Sequence, residues 1–189
     1  MRWLIWVLLM VPAAAQAQSD APNAILLIAK PELIDPSFRE TVVLVTQTAD
    51  ASTVGVILNR PTERKHEKTG EALYSGGPVM REVIVALFRA ARPPEAAAFP
   101  VLKNVYLTMH PQNIDQLLAQ RGANYRLYSG FSGWAPGQLQ SEMQRDGWYV
   151  LPANAELAFR KDTAGMWEEL VRKARGRVAL REKLNILTP

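Results

Sequence analysis

The ten residues GFSGWAPGQL, at positions 130–139, decide how the fold of this chain is interpreted. Three glycines, a proline and a tryptophan so close together fit neither a regular helix nor a regular strand. The pattern predicts a strand that ends at Ser129, a shaped turn, and a helix that opens at Pro136. Such a turn either builds a binding site or only redirects the backbone, and both interpretations stay open at this point.

Short apolar runs on both sides of this segment predict a sheet. Runs rich in Val, Ile and Leu indicate strands that are largely covered by other parts of the protein. The predicted strands are Ile25–Ala29, Thr41–Thr46, Val54–Leu58, Val105–Met109, Tyr125–Ser129 and Trp148–Leu151. Because these strands come in adjacent groups rather than in alternation with helices, the sequence predicts the α+β class with a mixed sheet.

Two further helices are predicted from apolar residues at helical spacing. One has Pro111 in its first turn and ends before Gly122, and the other runs from Gly165 to about Leu184. The charged stretch 62–71 is predicted to be a solvated loop. The stretch 89–100, rich in alanine and proline, is predicted to be an irregular excursion over the surface.

Composition bounds the class of protein. A length of 189 residues suits one domain, and a formal charge of +4 is compatible with anionic partners without requiring them. The chain has no cysteine, which excludes disulfides, thiol catalysis and metals bound by cysteine. Only two histidines are present, His66 and His110, and no spacing selects carboxylates as ligands, so we expect no bound metal and no cofactor.

The first 17 residues have the three-part pattern of a secretory signal. Arg2 supplies positive charge, residues 3–11 form an apolar run, and the sequence AQA at 15–17 offers small residues to a signal peptidase. The run is too short to span a membrane, which takes roughly 20 apolar residues. We expect residues 1–17 to be removed and residues 18–189 to form one domain without a transmembrane segment, in a periplasmic or secreted protein.

Three stretches that follow one another in this order resemble the YqgE/AlgH family. They are NRP at 59–61 after an apolar strand, GGPV at 76–79, and the segment 130–139. The resemblance implies that residues 18–189 form a single α+β domain with a large mixed β-sheet flanked by helices, and it implies no established molecular activity. Relatives generally lack an export signal, whereas this chain carries one, and that signal argues against a direct cytoplasmic role in transcription for this chain.

A binding groove is expected where these three turns meet, because loops at the ends of strands carry function on a rigid scaffold. In that groove Arg60 would supply positive charge, and Trp134 would offer a stacking surface. Hydrogen bonds would come from Asn59 and Gln138. The other candidate ligand-binding residues belong to the turns themselves: Gly76, Gly77, Ser132 and Gly133. The expected occupant is a protein partner or a small anionic ligand, held by a non-catalytic binding or regulatory module.

Two alternatives are kept beside this hypothesis. A hydrolase would use Ser75 or Ser132 with His110 as its base, although the G-x-S-x-G spacing of a nucleophile elbow is missing at Ser132. A transcriptional regulator would contact nucleic acid through the basic C-terminal helix, residues 172–183. Acidic residues mixed into that helix and the export signal both argue against nucleic acid as a partner. No residue is assigned a catalytic role from the sequence.

Overall fold

The computed structural model describes residues 24–187, and within them ten strands and four helices. The predicted signal peptide, residues 1–17, lies outside the described residues. The strands are β1 (Ile25–Ala29), β2 (Val42–Gln47), β3 (Thr53–Ile57), β4 (Pro61–Lys65), β5 (Ala72–Ser75), β6 (Val79–Arg89), β7 (Phe99–Leu102), β8 (Val105–Thr108), β9 (Tyr125–Trp134) and β10 (Trp148–Pro152). The helices are α1 (Pro111–Ala119), α2 (Gln138–Gln144), α3 (Ala155–Ala158) and α4 (Met166–Leu187).

All of these strands belong to one sheet. Eight of the described strands lie in the order β10-β1-β2-β3-β9-β6-β8-β7, while β5 pairs with both β4 and β9. Neighbouring strands are antiparallel except for β5 and β9, which run parallel. The sheet is therefore mixed, and the predicted α+β class with a large mixed β-sheet flanked by helices is confirmed.

Strand β9 joins the two halves of the sheet. Its first part pairs with β5 and β6, whereas residues 132–134 pair with β3. Between these parts Gly130 has a φ of +72°, a left-handed conformation that bends the strand and that glycine adopts without strain. The prediction that the strand ends at Ser129 was wrong, because the backbone bends at Gly130 and then resumes pairing with a new neighbour.

Side chains alternate across the sheet and form three apolar clusters. Around Trp134, one outer cluster holds α2 against β1, β2 and β3. The other outer cluster, around Leu117, holds α1 against β6 and β9. The sheet curls far enough for Thr46 Oγ1 in β2 to donate to the carbonyl oxygen of Pro100 in β7, at 3.0 Å. The curled inner face and α4 enclose the central cluster, which includes Leu26, Leu44, Leu87, Leu107, Met166 and Leu170.

Helix α4 packs its first half on the core. Met166, Leu170, Val171 and Ala174 are buried at the helical spacing predicted for this segment. Residues 175–179 are all exposed, so the helix leaves the core after its third turn. The two helices predicted from helical spacing therefore form, as α1 and α4. Helix α1 begins at Pro111, the proline predicted for its first turn.

Three local predictions were wrong. The stretch 62–71 contains most of β4, a solvated edge strand that starts at Pro61, where a missing amide hydrogen is tolerated. The stretch 89–100 ends within another strand, since β7 begins at Phe99. Helix α2 begins at Gln138 rather than at Pro136, because Gly137 occupies the N-cap position with a φ of +77°.

Gly76 offers a test of the packing at the bend of β9. A Cβ atom at this position would lie 2.1 Å from the carbonyl oxygen of Gly130, an atom of the backbone that a side-chain rotation cannot move away. We expect Gly76→Ala to lower the free energy of unfolding by about 1–3 kcal/mol, measured by urea denaturation, because overpacking forces backbone shifts.

Gly176→Ala is the matched control for this measurement. Residue 176 lies inside α4, and apart from the adjacent residues and backbone of that helix no described atom lies within 4 Å of its Cβ position. Alanine there should raise the free energy of unfolding by about 0.5–1 kcal/mol, since glycine is a poor helix former. Equal stability of Gly76→Ala and the parent protein would contradict the packing described for the bend.

Candidate functional site

Of the three predicted turns, the second (residues 76–79) packs directly against the third (residues 130–139). The Gly76 amide donates to the carbonyl oxygen of Ser129 at 3.0 Å, and Ser132 Oγ donates to the carbonyl oxygen of Gly76 at 3.0 Å. A Cβ atom on Gly77 would lie 2.3 Å from the carbonyl oxygen of Phe131. Such a close approach of two backbones requires glycine and leaves no room for a ligand between these turns.

The first turn, residues 59–61, holds in place the loop that precedes β2. Asn59 Oδ1 accepts a hydrogen bond from the Val42 amide at 2.8 Å. The guanidinium of Arg60 donates to the carbonyl oxygens of Ser37 at 2.6 Å and of Arg39 at 3.0 Å. Burial lowers the pKa of Arg60, and the charge of Arg39 lowers it further. We call these bonds to the loop the Arg60 clamp.

The three turns meet through their backbones. The amide of Ser75 donates to the carbonyl oxygen of Arg60 at 2.9 Å, and the amide of Ile57 donates to the carbonyl oxygen of Gly76 at 3.0 Å. Together with the Ser132 hydroxyl, these bonds connect all three turns. The contact between them is packing, so any ligand bound by these residues has to lie at their outer edge.

Trp134 belongs to an aromatic cluster on the outer face of the sheet. Its side chain is only 3% exposed, and its ring stacks on Phe38 with 5.4 Å between the ring centroids. Its Nε1 donates to Glu142 Oε2 at 2.9 Å, and Nε1 of Trp148 donates to the same oxygen at 3.3 Å. The indole is therefore engaged by the protein itself, which leaves little of it for stacking on a ligand.

Gln138 and Gly133 shape the connection between β9 and α2. Gln138 Oε1 accepts a hydrogen bond from the Ala135 amide at 3.1 Å, and its Nε2 donates to Glu142 Oε1 at 3.3 Å. A Cβ atom on Gly133 would lie 3.2 Å from the ring of Phe131. These contacts fix the start of α2, and a direct role of either residue toward a ligand stays a prediction.

The first turn does line an open cleft. Residues 59–61 and 39–40 form one side of it, and residues 161–168, which lead into α4, form the other. Tyr74 of β5 also lines it. We call this space the Arg60 cleft. Its volume of about 650 Å³ lies in the range of small-molecule sites in proteins.

The Arg60 cleft carries charges of both signs. The amides at the start of α4 add partial positive charge, since the first turn of a helix leaves amide hydrogens pointing along its axis. One of the carboxylates is already engaged, because Asp162 Oδ1 accepts a hydrogen bond from the Ala164 amide at 3.0 Å. The charged residues that line the cleft are Arg39, Arg60, Lys161, Glu40, Asp162 and Glu168.

The wall formed by residues 161–168 is not among the sites predicted from the sequence. The sequence DTAG at 162–165, just before the apolar residues of α4, is the kind of polar segment that caps a helix, and Gly165 has a φ of +64°. That signal predicts where the helix begins. It does not show that the helix start faces residues 59–61, which lie far away in the sequence.

Ser75 and Ser132 are not brought together with His110. The imidazole Nδ1 of His110 accepts a hydrogen bond from the Gln112 amide at 3.3 Å, as the N-cap of α1. His110 follows β8, and the strand order puts Ser75 three strand spacings from it, about 14 Å. Ser132 is two spacings away, about 10 Å, and is fully buried. Neither arrangement provides the hydrogen bond of a nucleophile and its base.

Among the side chains that the structure describes, no three or more His, Cys, Asp or Glu residues are grouped so that they could hold a metal ion. None of the described helices combines the length and the hydropathy needed to cross a membrane.

Glu142 tests the structural role assigned to Trp134. Its carboxylate accepts both indole N–H groups, and bonds to a charged acceptor are stronger than neutral ones. We expect Glu142→Gln to lower the free energy of unfolding by about 1–3 kcal/mol and to shift the tryptophan fluorescence, measured during urea denaturation.

Glu63→Gln is the control for this change, since Glu63 is an exposed residue of the edge strand β4. It should leave both the stability and the fluorescence within error of the parent protein. If Glu142→Gln behaved in the same way as Glu63→Gln, the indoles would not depend on that carboxylate.

Comparison with known proteins identifies the family of this chain. A family profile described as AlgH-like matches residues 26–179. A UPF0301 protein of Thermobifida fusca is 33% identical over 177 residues, which cover 82% of this chain and 87% of the relative. A UPF0301 protein of Rhodococcus jostii is 32% identical over 161 residues, covering 78% of this chain and 80% of the relative.

Solved structures show the same fold at lower identity. A protein from Corynebacterium diphtheriae superimposes with a TM-score of 0.60 at 24% identity, covering 81% of this chain and 86% of the other. The AlgH protein from Pseudomonas aeruginosa gives a TM-score of 0.61 at 22% identity, covering 72% and 79%. The family profile matches most of this chain, and the curated relatives are identical to it at about a third of the aligned positions. This chain therefore belongs to the AlgH-like family, also called YqgE/AlgH.

Proposed function

We propose that this protein is an exported, non-catalytic binding module that holds the anionic group of a small ligand or of a partner protein in the Arg60 cleft. The proposal keeps Asn59 and Arg60 as the cleft-lining members of the predicted site. The glycine turns and Trp134 then act as the scaffold that positions them. Binding is the function that the geometry supports best, and it needs no reacting group.

The observation that carries the proposal is the set of cations around the Arg60 cleft. Arg39, Arg60 and Lys161 line it, and the ion pairs formed within the described residues include none of the three. Arg39 and Lys161 are exposed, so their charges are available to a ligand. The positive end of α4 faces the same space and strengthens the attraction for an anion.

The surroundings of Ser132 and His110 support binding over hydrolysis. The Ser132 hydroxyl is buried and donates to the carbonyl oxygen of Gly76 at 3.0 Å. The His110 imidazole is occupied at the start of α1. A hydrolase of the proposed kind would need one of these groups to leave its present contact and cross the sheet.

Export is the second part of the proposal, and it rests on residues 1–17. A charged start, an apolar run and small residues before Gln18 fit cleavage by a signal peptidase. Because the chain has no cysteine, an oxidising compartment would not cross-link it. A periplasmic or secreted location would also keep the protein away from nucleic acid, which disfavours the regulator hypothesis.

A titration with inorganic phosphate tests the Arg60 cleft. We expect saturable changes in the amide NMR signals of residues 59–61 and 163–168, because these backbones surround the cleft. Arg39→Glu should weaken phosphate binding by about threefold to tenfold, since it replaces an attractive exposed charge by a repulsive one.

Arg121→Glu serves as the matched control, because Arg121 is exposed and does not line the Arg60 cleft. It changes the net charge by the same amount and should leave the affinity close to that of the parent protein. If both variants weakened phosphate binding equally, the net charge of the protein would explain the effect without the cleft. If the amide NMR signals of residues 163–168 did not change, the cleft would be refuted as the phosphate site.

Processing of the full-length chain tests export. Expressed with a C-terminal tag in a bacterial host, the protein should be recovered from the periplasm or the medium with Gln18 as its first residue, as measured by mass spectrometry. Ala17→Phe should retain the precursor mass, because a signal peptidase needs a small residue there. An unprocessed parent protein that stays in the cytosol would count against export.

A further inference from the structure

A second cavity shares Tyr74 and Lys161 with the Arg60 cleft. It has a volume of about 390 Å³, and it lies between the start of β9, the end of the β4–β5 hairpin and the segment that follows α3. Arg126 of β9 is part of its wall, so we call it the Arg126 cavity. Its size lies at the lower end of the range that small-molecule sites occupy.

Arg126 is a buried cation with too few partners. The residue is only 9% exposed, and its Nη2 donates to the carbonyl oxygen of Arg160. Its Nη1 is buried and makes no hydrogen bond to any described residue. The ion pairs among the described side chains do not include it either. Its guanidinium carbon lies 4.5 Å from the centroid of the Tyr74 ring, a contact that does not replace an anion.

The neighbouring side chains do not supply the missing negative charge. Tyr128 Oη is buried and makes no hydrogen bond of normal geometry, and the group that interacts with it is the guanidinium of Arg126 itself. Burial raises the pKa of Tyr128, although Arg126 lowers it in part, so the phenol stays neutral. A neutral phenol supplies no negative charge, so Arg126 has no ion-pair partner among the described side chains, and a buried charge gains from such a partner.

The carboxylate in this cavity is already engaged. Glu71 Oε1 accepts a hydrogen bond from Tyr125 Oη. Burial raises the pKa of Tyr125 to about 12, and the bond to Glu71 contributes to that rise. The phenol therefore remains a donor at physiological pH and keeps the Glu71 carboxylate at this side of the cavity.

Three aromatic residues form part of the remaining wall, beside Ala72, Asn124 and Leu127. Tyr74, Tyr125 and Phe159 contribute three rings around the space, and Lys161 adds a second cation. Flat apolar surfaces beside a few well-placed polar groups are the usual make-up of a small-molecule site. The charge selects an anion, and the rings select an apolar body attached to it.

We propose that the Arg126 cavity binds a small carboxylic acid with a flat apolar body. The guanidinium of Arg126 and the ammonium of Lys161 neutralise the carboxylate, while the rings of Tyr74, Tyr125 and Phe159 pack against the body of the ligand. This site shares Tyr74 and Lys161 with the Arg60 cleft but requires neither Arg39 nor Arg60, so the proposal stands whether or not phosphate binds in the cleft.

Benzoate and benzamide form the matched probe pair, since they differ in charge but hardly in shape. In the full chain, benzoate should produce saturable changes in the amide NMR signals of residues 71–74, 124–127 and 159–161. Benzamide should bind roughly thirtyfold more weakly or worse, because it leaves the buried guanidinium without a counter-charge. Inorganic phosphate, which lacks the apolar body, should not displace benzoate.

Three variants complete the experiment. Arg126→Met should weaken benzoate binding by roughly thirtyfold or more. Lys161→Gln, a change of an exposed residue, should weaken it by about threefold. Arg121→Met should leave it unchanged. If Arg126→Met fails to fold, as judged by circular dichroism, Lys161→Gln and the benzamide comparison decide the question.

Three results would overturn the proposal. The first is equal affinity for benzoate and benzamide, which would remove the role of the charge. The second is displacement of benzoate by phosphate, which would reduce the cavity to a general oxyanion site. The third is binding of benzoate without changes at residues 124–127 and 159–161, which would put the ligand elsewhere on the protein.

Discussion

The close approach of two backbones at residues 76–77 and 130–132 is the constraint on which the rest of the structure depends. Gly130 bends β9 so that one strand serves both halves of the sheet, and the Gly76 carbonyl oxygen accepts bonds from Ser132 and from Ile57. Because no side chain separates the two segments, the sheet can curl around the central apolar cluster. Both the Arg60 cleft and the Arg126 cavity are lined by strands that this junction aligns.

Much of the fold could be predicted from apolar runs, because a buried strand carries its signal in its own residues. Strand β1 forms over the predicted range, and the class and the mixed sheet follow from the order of such runs. Strand β4 was missed since its residues are polar and solvated, so pairing with β5 decides its conformation rather than burial. The bend at Gly130 was mistaken for a strand end, because a glycine is compatible with either.

The candidate site was harder to predict than the fold. Sequence patterns drew attention to Asn59 and Arg60, which line the Arg60 cleft, yet they gave no hint that residues 161–168 lie opposite. Trp134 was expected to offer a stacking surface, but its neighbours Phe38, Glu142 and Trp148 enclose it. Such pairings come from tertiary packing between distant segments, for which a single sequence carries no local signal.

The Arg60 clamp has a consequence for how this protein can change over time. The guanidinium holds the loop at residues 36–39 by its carbonyl oxygens, which every amino acid possesses. Substitutions in that loop can therefore accumulate without releasing it, as long as one arginine persists. The side chains of this loop, which form part of the rim of the Arg60 cleft, can thus differ between descendant proteins, while the backbone path of the loop stays the same.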